Sequence, residues 1–529
     1  MTIEFYDTTL RDGTQAENFN LSVDDKIRIT QHLDKLGIDF IEGGWPGSNP
    51  QAVEYFEKMK SVVLKHARLS AFGATRHFQN PPDKDPNLLA LIAAQTPAVT
   101  IFGKSWDIHV HEALRIELED NLQLIEDSLA FLRPQVKHLI YDAEHFFDGF
   151  KNNREYCLAT LAKAVSGGAE TLALCDTNGG TLPHEIAAII TRVKQFLYDE
   201  LGSTTVKIGI HPHNDSDTGV ANALLGVSLG VRQVQGTING YGERCGNANL
   251  TSIIPAVIFK MGLEAEVGKN IDKLYSTSRL VNELANLPHN RYQPYVGESA
   301  FAHKGGIHVS AVQRNPRTYE HIEPEKVGNI RRILISDQAG KSNVMHKALK
   351  YGLNLKPDDP AMAAIVRQLK ELEAQGFQYE GAEASFELLM RKAMGIEQQF
   401  FTLESFRVMN SKRTMDSTSL TEATIRLTVN GEEEHTASLG DGPVNALDKA
   451  MRKALIRFYP RLEEMELVDY KVRVLSGEHG TGAKVRVLIE SRDAGSQWGT
   501  VGVSFNIIEA SWQALEDAVN YKLMKDGRE

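Results

Sequence analysis

The stretch TLALCDTNGGTLPHEIAAIITRVKQFLYDELGSTTVKIGIHPH, residues 171–213, spans one full structural period of the chain. It opens on an apolar run, TLALCDT, and breaks at Gly179-Gly180. An amphipathic stretch, PHEIAAIITRVKQFLYDELG, follows and ends at Gly202, and a second apolar run, KIGIHPH, comes after. Strands buried on both faces read as such near-continuous apolar runs, and parallel neighbours need a helical crossover between them. The segment therefore reads as strand, helix, strand.

The same rhythm fills residues 1–270. Strand-like runs recur as IEFYDTTL, DFIEGGW, RLSAFGA, AVTIFGK, KHLIYDAE and QVQGTING, with amphipathic stretches between them. One of these, SVDDKIRITQHLDKLG (22–37), carries Ser22 as an N-cap and Gly37 as a stop. Eight units over about 250 residues match a (β/α)8 TIM barrel. A doubly wound open sheet is the competing arrangement.

Beyond the barrel the rhythm is lost. Residues 271–395 read as helices and loops, a helical linker or lid. Residues 400–529 change again: EATIRLTVNG and EEEHTASLG alternate with period two before PVNALDKAMRKALIRFYP, and AKVRVLIES and WGTVGVSF precede SWQALEDAVNYKLMK. That order predicts a C-terminal α+β domain with an internal pseudo-repeat whose half-apolar faces pair with a copy of itself.

Composition excludes several classes. The chain has 529 residues and a formal charge of −11, with no basic run, so nucleic acid is not the expected partner. No stretch approaches the ~20 apolar residues of a membrane span. Three cysteines, Cys157, Cys175 and Cys245, are odd in number and widely spaced, which fits a reducing cytoplasm. The chain opens directly into TIEFYDTTL, so no signal peptide is expected.

In a barrel, chemistry gathers at the C-terminal ends of the strands. There stand Arg11-Asp12-Gly13, Glu42, Glu144, Asp176-Thr177-Asn178, His211 and His213, and the loop GERCGNANL (242–250). Alternation puts His211 and His213 on one face and turns Pro212 away. With Asp12 they make a ligand set that leaves open positions on a divalent cation, and Asn247 can add a neutral oxygen. Cys245 is a softer alternative. Such ligands suit Mg²⁺, Mn²⁺, Co²⁺ or Zn²⁺. Arg11 can stabilise oxyanion charge. Thr177 offers a hydroxyl to a carboxylate or caps its loop, and Glu144 can position substrate or pair with a cation.

Four motifs together resemble the DRE-TIM metallolyases: DTTLRDGTQ (7–15), HPHND (211–215), GERCGNANL (242–250) and AFAHKGGIHVSAV (300–312). With both accessory domains present, the chain is similar to the group of 2-isopropylmalate, homocitrate and citramalate synthases over its full length. IEGGWPGSNP (41–50) and VQGTINGYGERCGNANL (234–250) tie it most closely to the citramalate branch. The group has threonine where Pro212 stands here.

The resemblance implies Asp12, His211, His213 and Asn247 as metal ligands, and Arg11, Glu144 and Thr177 as keto-acid and oxyanion groups. It implies His308 as general base assisted by Tyr319, with His303 as a rival. The substrates would be acetyl-CoA and pyruvate, and the effector isoleucine. The assembly would be a homodimer whose partner subunit completes the site. A 2-isopropylmalate synthase, a lyase on the same barrel and a non-catalytic amino-acid sensor are the competing functions.

Overall fold

The computed structural model describes residues 2–203, 205–334, 341–356, 358–379, 381–412, 420–475 and 482–527. The chain divides into two compact units, Met1–Phe301 with His321–Arg331, and Ala302–Glu320 with Arg332–Glu529.

The first unit is a closed barrel of eight parallel strands in sequence order. They are β1 Glu4–Asp7, β2 Phe40–Gly44, β3 Arg68–Ala74, β4 Ala98–Lys104, β5 His138–Glu144, β6 Thr171–Asp176, β7 Lys207–Pro212 and β8 Gln233–Gly236. The barrel closes where β1 pairs with β8, Phe5 opposite Val234.

Helix Val23–Leu36 illustrates how the sequence sets its elements. The Ser22 hydroxyl accepts from the Asp25 N–H and the Asp25 carboxylate accepts from the Ser22 N–H, a reciprocal cap. Gly37 stops the helix at φ 96°, where a Cβ would lie 3.2 Å from the Val267 backbone. Ile29, Leu33 and Leu36 are fully buried in the shell between helices and sheet.

Inside the barrel the residues are largely polar. Tyr6, Glu42, Ser70, Thr100, Asp142, Gln233 and Gln235 are all buried. They pair with one another: Tyr6 OH with Thr100 Oγ1 at 2.8 Å, Ser70 Oγ with Thr100 Oγ1 at 3.0 Å, and Gln235 Nε2 to Asp142 Oδ1 at 3.0 Å. Buried polar groups are tolerated when they satisfy each other in this way.

Two strands end earlier than their apolar patterns suggest. The chain leaves β1 after Asp7 because Asp7 Oδ1 accepts from the Thr9 N–H (3.0 Å) and Oδ2 from the Thr9 hydroxyl (2.8 Å). This local turn outcompetes the sheet. β8 stops at Gly236, before Asn239 takes the left-handed φ of 66°.

The second unit holds the short parallel pair β9 Ala302–His303 and β10 Arg332–Ile333. Three helices, Lys341–Lys350, Pro360–Ala374 and Glu383–Ala393, come next in the chain. Then come two antiparallel three-stranded sheets. The first is β11 Thr402–Ser411, β12 Leu420–Val429 and β13 Glu432–Gly440, followed by helix Pro443–Leu455. The second is β14 Glu466–Val474, β15 Val485–Arg492 and β16 Gln497–Ser504, followed by helix Ile507–Asp526. Ala423, Ile425, Leu427 and Val429 alternate onto the helix-covered face of β12, and Val487, Ile489 and Trp498 repeat the pattern in the second sheet. This is the pseudo-repeat expected from the sequence. Among the described residues, no helix is long and apolar enough to cross a membrane.

Candidate active site

The turn after β1 delivers Arg11 and Asp12 to the barrel mouth. The Thr8 carbonyl accepts from the N–H groups of Arg11 (3.2 Å) and Gly13 (3.1 Å). Both side chains therefore reach the pocket although neither residue belongs to the strand. Glu42, fully buried, takes Arg11 Nε at 2.5 Å, the Thr8 hydroxyl at 2.6 Å and the Tyr6 hydroxyl at 2.5 Å. The guanidinium lies 3.9 Å from the Phe72 ring centroid. Burial opposes the Arg11 charge, but Glu42 and Asp12 hold it above the ordinary arginine value.

Asp12 Oδ2 stands 3.2 Å from His211 Nε2 and 3.8 Å from His213 Nε2. All three residues are buried, and among the described residues they are the only group of three or more such donors close enough to share one ion. Burial pushes the Asp12 carboxyl upward, yet Arg11 and the two imidazoles hold it well below the usual carboxylate range. Burial and His211 push His213 down to about 3, so that ring is neutral. His211 Nδ1 meets Gln235 Oε1 at 2.7 Å. With Gln235 Nε2 donating to Asp142, Oε1 must accept, so Nδ1 carries the proton and Nε2 is left as a donor atom.

Two buried polar atoms next to this triangle have no partner, His213 Nδ1 and Asn247 Oδ1. Asn247 bridges His213 through the backbone. A carboxylate, two imidazoles and an orphan amide oxygen are the chemistry of a divalent-cation site. Cys245 is exposed and outside the group. Pro212 is the last residue of β7, paired with Asp176, and its carbonyl accepts from the Ala248 N–H at 2.8 Å. Its missing N–H thus falls at the strand's end.

The pocket in front of these groups has a volume of about 240 Å³. Thr177 and Glu144 line it. The Thr177 hydroxyl accepts from the His145 N–H at 2.9 Å, which leaves its own proton free. Glu144 is ion-paired with Lys104. The far wall is aromatic: Phe72 and Phe102 stack at 5.4 Å, and Trp45 meets them edge-on at 6.1 and 5.6 Å. Behind Trp45 and Phe102 opens a second cleft of about 720 Å³, lined also by Arg76, His77, Lys104 and Leu114.

A family model described as HMGL-like matches residues 2–281. The chain belongs to the HMGL-like family. Two further models match beyond this HMGL-like barrel, homocitrate synthase post-HMGL domain-like over 295–376 and the LeuA allosteric (dimerisation) domain over 380–523. An (R)-citramalate synthase of Geobacter sulfurreducens is 56% identical over 523 residues, 99% of this chain and 98% of that one. Another from Aquifex aeolicus is 53% identical, covering 100% and 99%. A 2-isopropylmalate synthase of Dictyoglomus turgidum is 29% identical, covering 99% of each.

In the second unit of this HMGL-like chain, His308 sits on helix Gly306–Arg314 with its side chain exposed. Its ring stacks on Tyr319 with centroids 4.2 Å apart. His303 is buried, and its Nε2 is 3.1 Å from Glu320 Oε1. The two histidines of AFAHKGGIHVSAV thus differ: one is buried against a carboxylate, the other is exposed and stacked on a tyrosine.

Sequence reading gave no role to Gln235, Asp142 or the aromatic wall, and noted Glu42 only as a strand end. One signal was present. QVQG, IYDAE and FIEGG each place a polar residue inside an otherwise apolar strand, where inward-facing positions become the pocket floor.

Proposed function

We propose that this protein is an acyltransferase that condenses acetyl-CoA with pyruvate and hydrolyses the product thioester to citramalate and CoA. Proton loss from the acetyl methyl gives an enolate whose carbon attacks the keto carbon. The keto oxygen becomes a hydroxyl, and water then cleaves the C–S bond and releases CoA. The observation that carries this reading is the buried Asp12, His211 and His213 triangle, with the Arg11 guanidinium 3.5 Å from Asp12 and Thr177 lining the same pocket of about 240 Å³.

Asp12, His211, His213 and Asn247 would hold a divalent cation, Mg²⁺, Mn²⁺, Co²⁺ or Zn²⁺, which when bound supplies Lewis-acid polarisation of the keto group. Arg11, locked by Glu42, places its charge where the alkoxide develops. Thr177 donates its free proton to the pyruvate carboxylate. Glu144, paired with Lys104, lines the same pocket and positions the substrate. His308 takes the methyl proton, and the Tyr319 ring holds the imidazole face-on. His303, buried with its Nε2 against Glu320, is the rival for this role.

Phe72, Phe102 and Trp45 leave room for a methyl and crowd an isopropyl group, which favours pyruvate over 2-oxoisovalerate. The cleft behind Trp45 and Phe102 takes the pantetheine arm of acetyl-CoA. The C-terminal sheets bind isoleucine and join two copies, as expected of a domain matched by an allosteric dimerisation model. The reaction would open a pyruvate route to isoleucine in the cytoplasm. The test is CoA release with acetyl-CoA and either pyruvate or 2-oxoisovalerate. Turnover with pyruvate at least tenfold above the branched acid is expected, and equal or inverted rates would overturn the assignment.

A further inference from the structure

Asn247 is 1% exposed, and its two amide atoms are treated differently by the fold. Nδ2 donates to the Tyr241 carbonyl at 3.2 Å, whereas Oδ1 is buried with no partner. The Tyr241 carbonyl also accepts from the Thr237 hydroxyl at 2.7 Å. Gly242 makes the approach possible, since a Cβ there would lie 2.2 Å from Asn247 Nδ2. An amide that lost this contact could turn its NH₂ toward a cation, and an NH₂ group does not ligate.

The hydroxyl end of Tyr241 is equally fixed. It donates to Asn282 Oδ1 at 2.9 Å, on helix Leu274–Leu284. The same Oδ1 accepts from Asn239 Nδ2 at 2.6 Å. Asn239 itself takes the left-handed φ of 66° and accepts from the Ser278 hydroxyl at 2.6 Å. The orientation of Asn282 follows from His289. Nε2 of that ring faces the Val296 carbonyl at 3.0 Å and must donate, so Nδ1 accepts from Asn282 Nδ2 at 3.0 Å. Each amide and ring in the chain from Val296 to Asn247 therefore has one allowed orientation.

We infer that Tyr241 and Asn282 are positioning residues that aim the Asn247 amide oxygen at the cation held by Asp12, His211 and His213. The inference rests on the metal reading proposed above. Helix Leu274–Leu284 stands at the start of the helical extension, which thus begins with a clamp on the metal loop. Partners at this remove from the ion typically change affinity by about 10–100-fold when lost.

The experiment titrates the cation-free full-length protein with Co²⁺ by calorimetry. Tyr241→Phe removes one hydroxyl. It is expected to raise the Co²⁺ Kd about tenfold, with the melting temperature of the cation-free protein nearly unchanged. Asn282→Ala and Gly242→Ala should weaken binding similarly, and Asn247→Ala at least as much. The decisive arm is the double variant Tyr241→Phe/Asn247→Ala, which should bind no more weakly than Asn247→Ala alone. An unchanged Kd in Tyr241→Phe, or an equal further loss in the Asn247→Ala background, overturns the inference and leaves the metal site standing. A wild-type protein that binds no Co²⁺, or binds it equally after Asp12→Ala, overturns the metal reading and this inference together.

Discussion

The 2.7 Å contact between His211 Nδ1 and Gln235 Oε1 selects which ring nitrogen faces Asp12. The same ring carries a pH dependence set by burial and Asp12. Burial disfavours a charged His211, but the Asp12 carboxylate outweighs it and raises the ring above its ordinary value. In the cation-free protein His211 therefore stays protonated below that raised value, and a cation must displace the proton. Affinity falls as pH falls through this range, by about tenfold per pH unit, and levels off above it. Calorimetry in two buffers of different ionisation enthalpy should find about one proton released per ion. Zero release across that range would mean His211 is already neutral.

The base assignment is tested at the same scale. His308→Ala should lower kcat by about 10²–10⁴-fold while metal content and pyruvate binding persist. Retained turnover would remove His308 from that role. Asp12, His211 and His213 were legible in the sequence because charged groups at strand ends stand out against apolar runs. Gln235 and Glu42 were not, because their meaning depends on which way a strand faces inside a closed barrel. Only closure makes that direction a pocket.

At the scale of elements, β3 and β4 lie where their sequences place them, since RLSAFGA and AVTIFGK are apolar runs closed off by loops. The sequence extends β1 too far because Thr8 and Thr9 favour strands in general, while here their hydroxyls serve Glu42 and Asp7. The same β3 and β4 carry Phe72 and Phe102, the residues on which the proposed choice of acceptor rests. Phe102→Ala should raise kcat/KM for 2-oxoisovalerate at least tenfold relative to pyruvate, in line with ~1–3 kcal/mol per methylene-sized change. An unchanged ratio would acquit the wall. Ala113→Trp, at the rim of the larger cleft, should raise the KM for acetyl-CoA and spare that for pyruvate. It should also spare a short acetyl thioester that lacks both the nucleotide and the pantetheine arm. Equal effects on long and short thioesters would move the arm elsewhere.

For the whole molecule, the second unit shows where a truncation must fall. Ser385 on helix Glu383–Ala393 donates to Asp517 at 2.5 Å and accepts from the Val501 N–H at 3.0 Å, and Phe386 and Met390 share a core with Val501 and Val503. That helix therefore travels with the C-terminal sheets, as do helices Lys341–Lys350 and Pro360–Ala374, whose Val344, Ala348, Met362 and Ile365 lie in the same core, and a cut after residue 334 removes them together. The truncated enzyme should still release CoA with pyruvate and ignore isoleucine. Persisting inhibition would put the effector elsewhere. The sheets also expose Leu439, Val468, Val472 and Val474, apolar surface of the kind that a second copy covers.

The barrel joins its first strand to its last, and Asp12 meets His211 across 199 positions of sequence, with His213 close behind. A nascent chain on the ribosome that has emerged only through β6 exposes the carboxylate with no imidazole beside it. Ion capture must then come late in synthesis, after closure. Unfinished chains would stay inert toward pyruvate, and loading with metal would mark those that have completed their fold.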